Sequence, residues 1–177
     1  MKKKLASLAN LSPSATPAER VRVFEDMLFG KGRKISAVYL RKCYKTLLAE
    51  IMEAIAPLKG QALVGGGRGL GKSVFGLLVL LELVAQGFVV VYEHMDSLVL
   101  IVDADLPHDV AETFSKLRYE PVGRGIFDLA GDKQLAKALV TVPSVYFVQD
   151  LGDVDTNGLS TIDTGKAHWL LLSSPNA

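Results

Sequence analysis

The chain is 177 residues long, with 49% hydrophobic and 22% charged residues and a formal net charge of +1. That length suits one domain able to bury a core, and the balance is unlike that of a disordered tail. Near-neutral charge is unlike a basic nucleic-acid binder and lends a nucleic-acid partner no support, and the two basic runs, KKK at 2–4 and KGRK at 31–34, read either as phosphate-contacting or nuclear-import patches or, the better reading, as solvated charge.

From the amino end, residues 1–15 show no periodicity and read as a flexible segment. Their opening, MKKKLASLANL, has the basic start of a secretion leader, but its apolar part is brief and broken by Ser7 and Asn10. Order is expected to begin in a helical extension over 16–60. Thr16 suits a helix cap, Pro17 the first helical position and Glu19 a capping box. A helix is therefore predicted as far as Phe29, stopped by Gly30, with Val21, Phe24 and Leu28 on its apolar face. A second helix is predicted from Ser36 to Ala56, where Leu40, Tyr44, Leu47, Leu48, Ile51 and Ile55 recur at helical spacing before Pro57. Cys43, in that helix, is the only cysteine, so no internal disulfide can form, which fits an intracellular working environment.

From Gln61 the pattern alternates, and residues 61–177 read as one core. ALV at 62–64 is a strand, 73–86 a helix stopped by Gly87, and FVVVY at 88–92 a strand of β-branched and aromatic residues. The apolar run 74–85 contains Gly76 and Glu82 and is too short to cross a bilayer, so a buried helix and no membrane partner are expected. SLVLIVD at 97–103 is a further strand, placed to form a hairpin with the one before it. Helices are predicted over 109–118 and 132–140, and SVYFVQD and HWLLLSS as two more buried strands. Apolar strands without strict alternation, divided by helices, predict an α/β fold of three layers with a mainly parallel sheet covered on both faces.

Between the first strand and its helix lies GGGRGLGKS, and residues 66–73 fit G-x-x-x-x-G-K-[ST]. Successive backbone N–H groups curled around an anion at a helix start supply several donors at once, and the helix dipole adds positive potential. Gly66, Gly67, Arg68, Gly69, Leu70, Gly71, Lys72 and Ser73 are the candidate nucleotide-binding residues. Gly67 and Gly69 leave room for phosphates, Lys72 can reach the β- and γ-phosphates, and the Ser73 hydroxyl can enter a magnesium ion's shell. Arg68 either contacts phosphate or a partner's nucleotide, or faces solvent. Tyr44 suits stacking on an adenine ring, although its place on the helical stripe favours core packing.

Such a loop also calls for a strand-end carboxylate to orient hydrated magnesium. VYFVQD ends in Asp150 and LVLIVD in Asp103. Asp150 is the better placed, because the acid strand ordinarily follows a full crossover beyond the loop helix and its next strand, while Asp103 can simply close a hairpin. Lys72 and Asp150 are thus the candidate catalytic residues, with Ser73 and Asp150 the candidate metal residues. Leu151 follows Asp150, so no acidic neighbour stands ready to activate water; Gln149 and Asp153 are the substitutes, or are plain loop polarity. Ser173 and Ser174 end the last strand, either as sensors of a γ-phosphate or because the strand stops at Pro175. DVDTNG at 153–158 opens like a calcium loop but has Thr164 where a glutamate is required, and reads as an Asn-Gly turn. His94 and His168 read as structural.

The phrases YLRKCYKTLLAEI, GGGRGLGKSVFGLLVLLELVAQGFVVVYE, VYFVQDLGD and LLLSSPN together resemble the P-loop NTPase module of the Crinkler effectors of oomycetes and related eukaryotes. They are similar also to the trypanosome retrotransposon hot spot proteins, and the resemblance spans residues 36–176. It implies ATP binding and hydrolysis, with Lys72 and Ser73 in the nucleotide and metal roles, Asp150 as the second-motif acid, and Ser174 and Pro175 at the end of the fourth core strand. It also implies secretion into a host cell and action in its nucleus, often with a carboxy-terminal nuclease-like or kinase-like domain. The family pattern continues into a fifth strand, so the expectation here is a P-loop core truncated after the fourth strand. Its loop strand would then be a sheet edge covered by a partner chain or a second copy. The reading is a magnesium-dependent ATP-binding protein acting as an ATPase. Its rivals are a non-catalytic nucleotide-binding interaction module, and a small-molecule kinase whose lid would draw on Arg118 and Arg124.

Overall fold

Two six-residue strands of matching length, VVVYEH and VYFVQD, run side by side at the centre of the sheet and end together on polar residues. The computed structural model describes residues 21–23, 37–57, 60–67, 69–94, 97–151 and 168–173. In chain order the elements are β1 (Val21–Val23), β2 (Ala37–Tyr39), α1 (Lys42–Ile55), β3 (Gln61–Gly65), α2 (Lys72–Ala85), β4 (Val89–His94) and β5 (Ser97–Val102). There follow α3 (His108–Lys116), β6 (Gly125–Asp128), α4 (Lys133–Leu139), β7 (Val145–Asp150) and β8 (His168–Ser173).

The main sheet has six strands in the order β3-β8-β7-β4-β5-β6. The first four are mutually parallel, whereas β5 and β6 join antiparallel. The expected α/β fold is present, and its sheet is mixed, parallel over four strands and antiparallel at β5 and β6. Only residues 95 and 96 separate β4 from β5, far too few for a crossover, so the chain must turn back as a hairpin. β6 has no counterpart in the sequence reading. It is four residues long, alternates between half-buried and exposed, and follows a loop-like stretch.

The amino-terminal helices also need correction. Val21–Val23, placed in the first predicted helix, is a strand that pairs antiparallel with Ala37–Tyr39, and the following helix begins at Lys42 instead of Ser36. The valines at 21, 23 and 38 favour extended backbone, and pairing outweighs the capping pattern before them. Among the described residues one helix, α1, precedes the loop strand where two were expected.

Alternate residues of a strand face opposite ways, and here each face has its own core. Val90, Tyr92, Tyr146, Val148, Leu170 and Leu172 pack with Tyr44, Ile51 and Ile55 of α1 and with most of α2. Val89, Val91, Leu100, Val145 and Phe147 pack on the other side with Val110 and Phe114 of α3 and Leu135 and Leu139 of α4. α2 is apolar nearly all round, with nine buried residues, as a helix enclosed on several sides must be. Phe75, Val79 and Leu83 in it are almost fully enclosed, each contributing about 1.5–3 kcal/mol relative to exposure. Gly76 permits this closeness, because a Cβ there would lie 2.0 Å from Leu172 Cδ1. No helix among the described residues is long and apolar enough to cross a membrane.

Candidate functional site

The carboxyl ends of the four parallel strands form one edge. Strand register places Gly65 opposite Ser173, Leu172 opposite Asp150, and Asp150 opposite His94. With neighbouring strands ~4.8 Å apart, Asp150 stands roughly 10 Å across the sheet from the end of β3. The glycine-rich loop leaves β3 at this edge and returns as α2, so the helix begins beside the same row of strand ends.

Gly71 takes the position before α2 with φ 80°, and Gly69 has φ 74°. Both are left-handed conformations that glycine adopts without steric cost, and they curl the chain into the helix start. No side chain caps α2 and its first turn has no acidic residue, whereas α4 is capped by the Asp132 carboxylate accepting from the Leu135 N–H. The first N–H groups of α2 are therefore left for another acceptor. Lys72 folds back over the loop, its Nζ donating to the carbonyls of Gly66 at 2.7 Å and Gly67 at 2.8 Å. Gly67, Gly69 and Leu70 are exposed, and Ser73 is half-buried as the second residue of α2. Arg68 lies outside the described residues.

Tyr44 of α1 takes part in the loop itself. Its hydroxyl donates to the Gly71 carbonyl at 3.2 Å while its ring packs against Phe75, centroids 5.5 Å apart. Burial raises the Tyr44 phenol above its ordinary pKa, keeping it a proton donor. The core-packing reading of Tyr44 is the one its surroundings match, with a hydrogen bond that the spacing did not suggest.

Asp150 is nearly sealed from water and carries His94 beside it, Nδ1 to Oδ2 3.1 Å. Its alternation with Val148 and Tyr146 puts it on the face covered by α2. Asp103 follows the last residue of β5, which runs down to the amino end of β4, so it lies at the opposite edge from the loop. Ser173 ends β8 between β3 and β7, out of phase with Leu170 and Leu172 and so on the face away from α2. Ser174, Asp153 and the DVDTNG turn lie outside the described residues. Arg124 precedes β6, whose Gly125 pairs with Val102 at the edge remote from the loop; its guanidinium reaches the Asp105 carboxylate at 3.5 Å. Arg118 lies two residues beyond α3 with φ 63° and is exposed.

The sequence reading passed over two residues here. His94, which reads as structural, is buried and also meets Asp150. Glu93, not singled out at all, accepts a hydrogen bond from Gln149 Nε2 at 2.8 Å on the other face of the sheet. The signal was available in two strands of equal length ending in EH and QD, because parallel pairing in register brings Glu93 to Gln149 and His94 to Asp150. His168 is buried elsewhere, its Nδ1 on the Ile55 carbonyl and its ring stacked on Tyr146. It lines a cavity of about 320 Å³ with Phe88, Pro107, Pro143 and Tyr146, at the amino ends of the strands and away from the loop.

Ser73 and Asp150 offer a hydroxyl and a carboxylate, hard oxygen donors of the kind magnesium takes. No group of three or more His, Cys, Asp or Glu side chains suited to a metal occurs among the described residues. A magnesium ion that completes its shell with water and phosphate does not need one. No protein-family model, curated protein or solved structure matches the chain.

Proposed function

We propose that the chain binds ATP with magnesium on the 66–73 loop and hydrolyses its γ-phosphate. The observation that carries this reading is Lys72, whose ammonium is held by the Gly66 and Gly67 carbonyls at the start of an uncapped helix, on the same sheet edge as Asp150. A polyphosphate entering the loop would meet backbone N–H donors, the helix dipole and this ammonium together. The strand order adds support: β8 lies between the loop strand and the acid strand, as in the additional-strand class of P-loop enzymes.

In this reading Lys72 neutralises charge that develops on the γ-phosphoryl oxygens as water attacks. Ser73 and Asp150 would hold magnesium and its water, and the ion supplies further neutralisation of the phosphates when bound. Ser73 would reach it from the first turn of α2, and Asp150 from the end of β7. Adenine as the base, and membership of the Crinkler and retrotransposon hot spot group, follow from the sequence resemblance.

A second reading, nucleotide binding without turnover, is favoured by one observation. Leu151 follows Asp150, and the carboxylate on the adjoining strand, Glu93, is engaged by the Gln149 amide. The kinase reading is weakened, since Arg124 stands at the far edge of the sheet. Phosphate release from ATP by the wild type and by Lys72→Ala separates the first two. Release that depends on Lys72 supports hydrolysis; equal background from both removes it.

A further inference from the structure

We propose that His94 is a positioning residue for Asp150, fixing its carboxylate so that the carboxyl end of β7 captures a hydrated divalent cation. This rests on the nucleotide reading above and assigns it a residue that neither the loop motif nor the strand-end acid identifies. The two residues end adjacent parallel strands and stand opposite each other in register, so the backbone itself brings them together. The His94 Nδ1 to Asp150 Oδ2 distance is 3.1 Å, with both residues at most 5% exposed.

The choice of histidine has a chemical reason. A buried carboxylate is costly unless its oxygens are engaged, which an arginine or lysine would accomplish at the expense of cancelling the charge. An imidazole is able to donate one N–H without bringing a charge of its own, so a ring at this distance can turn to hold the carboxylate while leaving it attractive to a cation. The ring is in turn steadied by Tyr92, two residues earlier on the same face, whose ring lies parallel to it at 6.3 Å with planes 8° apart. Burial and the nearby Asp150 push the Tyr92 phenol upward, so the tyrosine remains a neutral neighbour and does not compete for the cation. Outer partners of this kind orient ligands in metal sites generally, and their loss costs about 10–100-fold in affinity.

The test uses the full chain with ATP and manganese as a paramagnetic stand-in for magnesium, free Mn²⁺ being read by electron paramagnetic resonance. His94→Ala is expected to weaken Mn²⁺ binding in the presence of ATP by about tenfold. Metal-free ATP affinity, measured in chelator, should stay within about twofold of wild type, and His94→Asn, whose amide nitrogen sits where Nδ1 does, should recover most of the loss. In an Asp150→Ala background, removing His94 should have no further effect. Should His94→Ala not fold, His94→Phe is read in its place, since it keeps a ring beside Tyr92 but cannot donate. Unchanged Mn²⁺ affinity in a folded non-donating variant that still binds ATP overturns the positioning role and leaves the nucleotide reading standing. A wild-type chain that binds no ATP overturns both.

Discussion

The Tyr44 hydroxyl donates to the Gly71 carbonyl across 3.2 Å, joining α1 to the residue at which the glycine loop becomes α2. The helix before the loop strand is therefore part of the loop's support. Its ring is buried in the core shared by α1, α2 and the sheet, so the hydroxyl is delivered from a fixed platform.

Tyr44→Phe keeps that platform and removes only the hydrogen bond. A loss of about 1 kcal/mol in unfolding free energy is expected, since the Gly71 carbonyl still accepts from the Phe75 N–H. ATP affinity should fall by more than that stability loss alone produces, by about fivefold, because the lost restraint is local to the cradle. Denaturant melts and an ATP titration check both; an unchanged affinity beside lowered stability would make Tyr44 a core residue only.

Gly76 sets how closely α2 lies on β8. Alanine there gains about 1 kcal/mol in helix propensity but overpacks against Leu172, at a cost of about 1–3 kcal/mol. Leu172 is fully enclosed and has little room to move, so Gly76→Ala is expected to destabilise. Adding Leu172→Ala should cost less than the sum of the single changes, a coupling that a double-mutant cycle in urea measures. Strict additivity would show that the helix does not rest on Leu172.

Burial lifts the Glu93 carboxyl above its ordinary range, and the Gln149 amide only partly opposes the lift. The folded protein thus holds this proton more tightly than the unfolded chain does. The resulting stability is present at acid pH and is lost as pH rises through the raised value. Glu93→Gln removes the titration, so its stability relative to wild type should increase between about pH 4 and about pH 7. Urea melts across that range read the difference; a gap that narrows toward neutrality would contradict the assignment.

The elements from Gln61 onward were largely legible because their apolar runs are long, bounded by glycine or charge, and rich in β-branched residues. The turn into α2 was legible because Gly69 and Gly71 supply left-handed conformations that glycine adopts without steric cost. What escaped depended on contacts between distant segments. Val21–Val23 is a strand only through pairing with Ala37–Tyr39, and Gly125–Asp128 only through the edge of β5. His94 has no sequence neighbour to mark it, and its partner lies 56 positions along the chain on the adjoining strand, visible only when register is known. Tyr44 fell on a helical stripe that accounted for its ring and concealed its hydroxyl.

The most direct test of the central claim is a calorimetric titration of the folded chain with ATP in the presence of magnesium. The account predicts a saturable, single-site heat of association for wild type, weakened by about 10–100-fold in Lys72→Ala through loss of a charge-assisted contact. No heat with the wild type, or the same isotherm with Lys72→Ala, would contradict it.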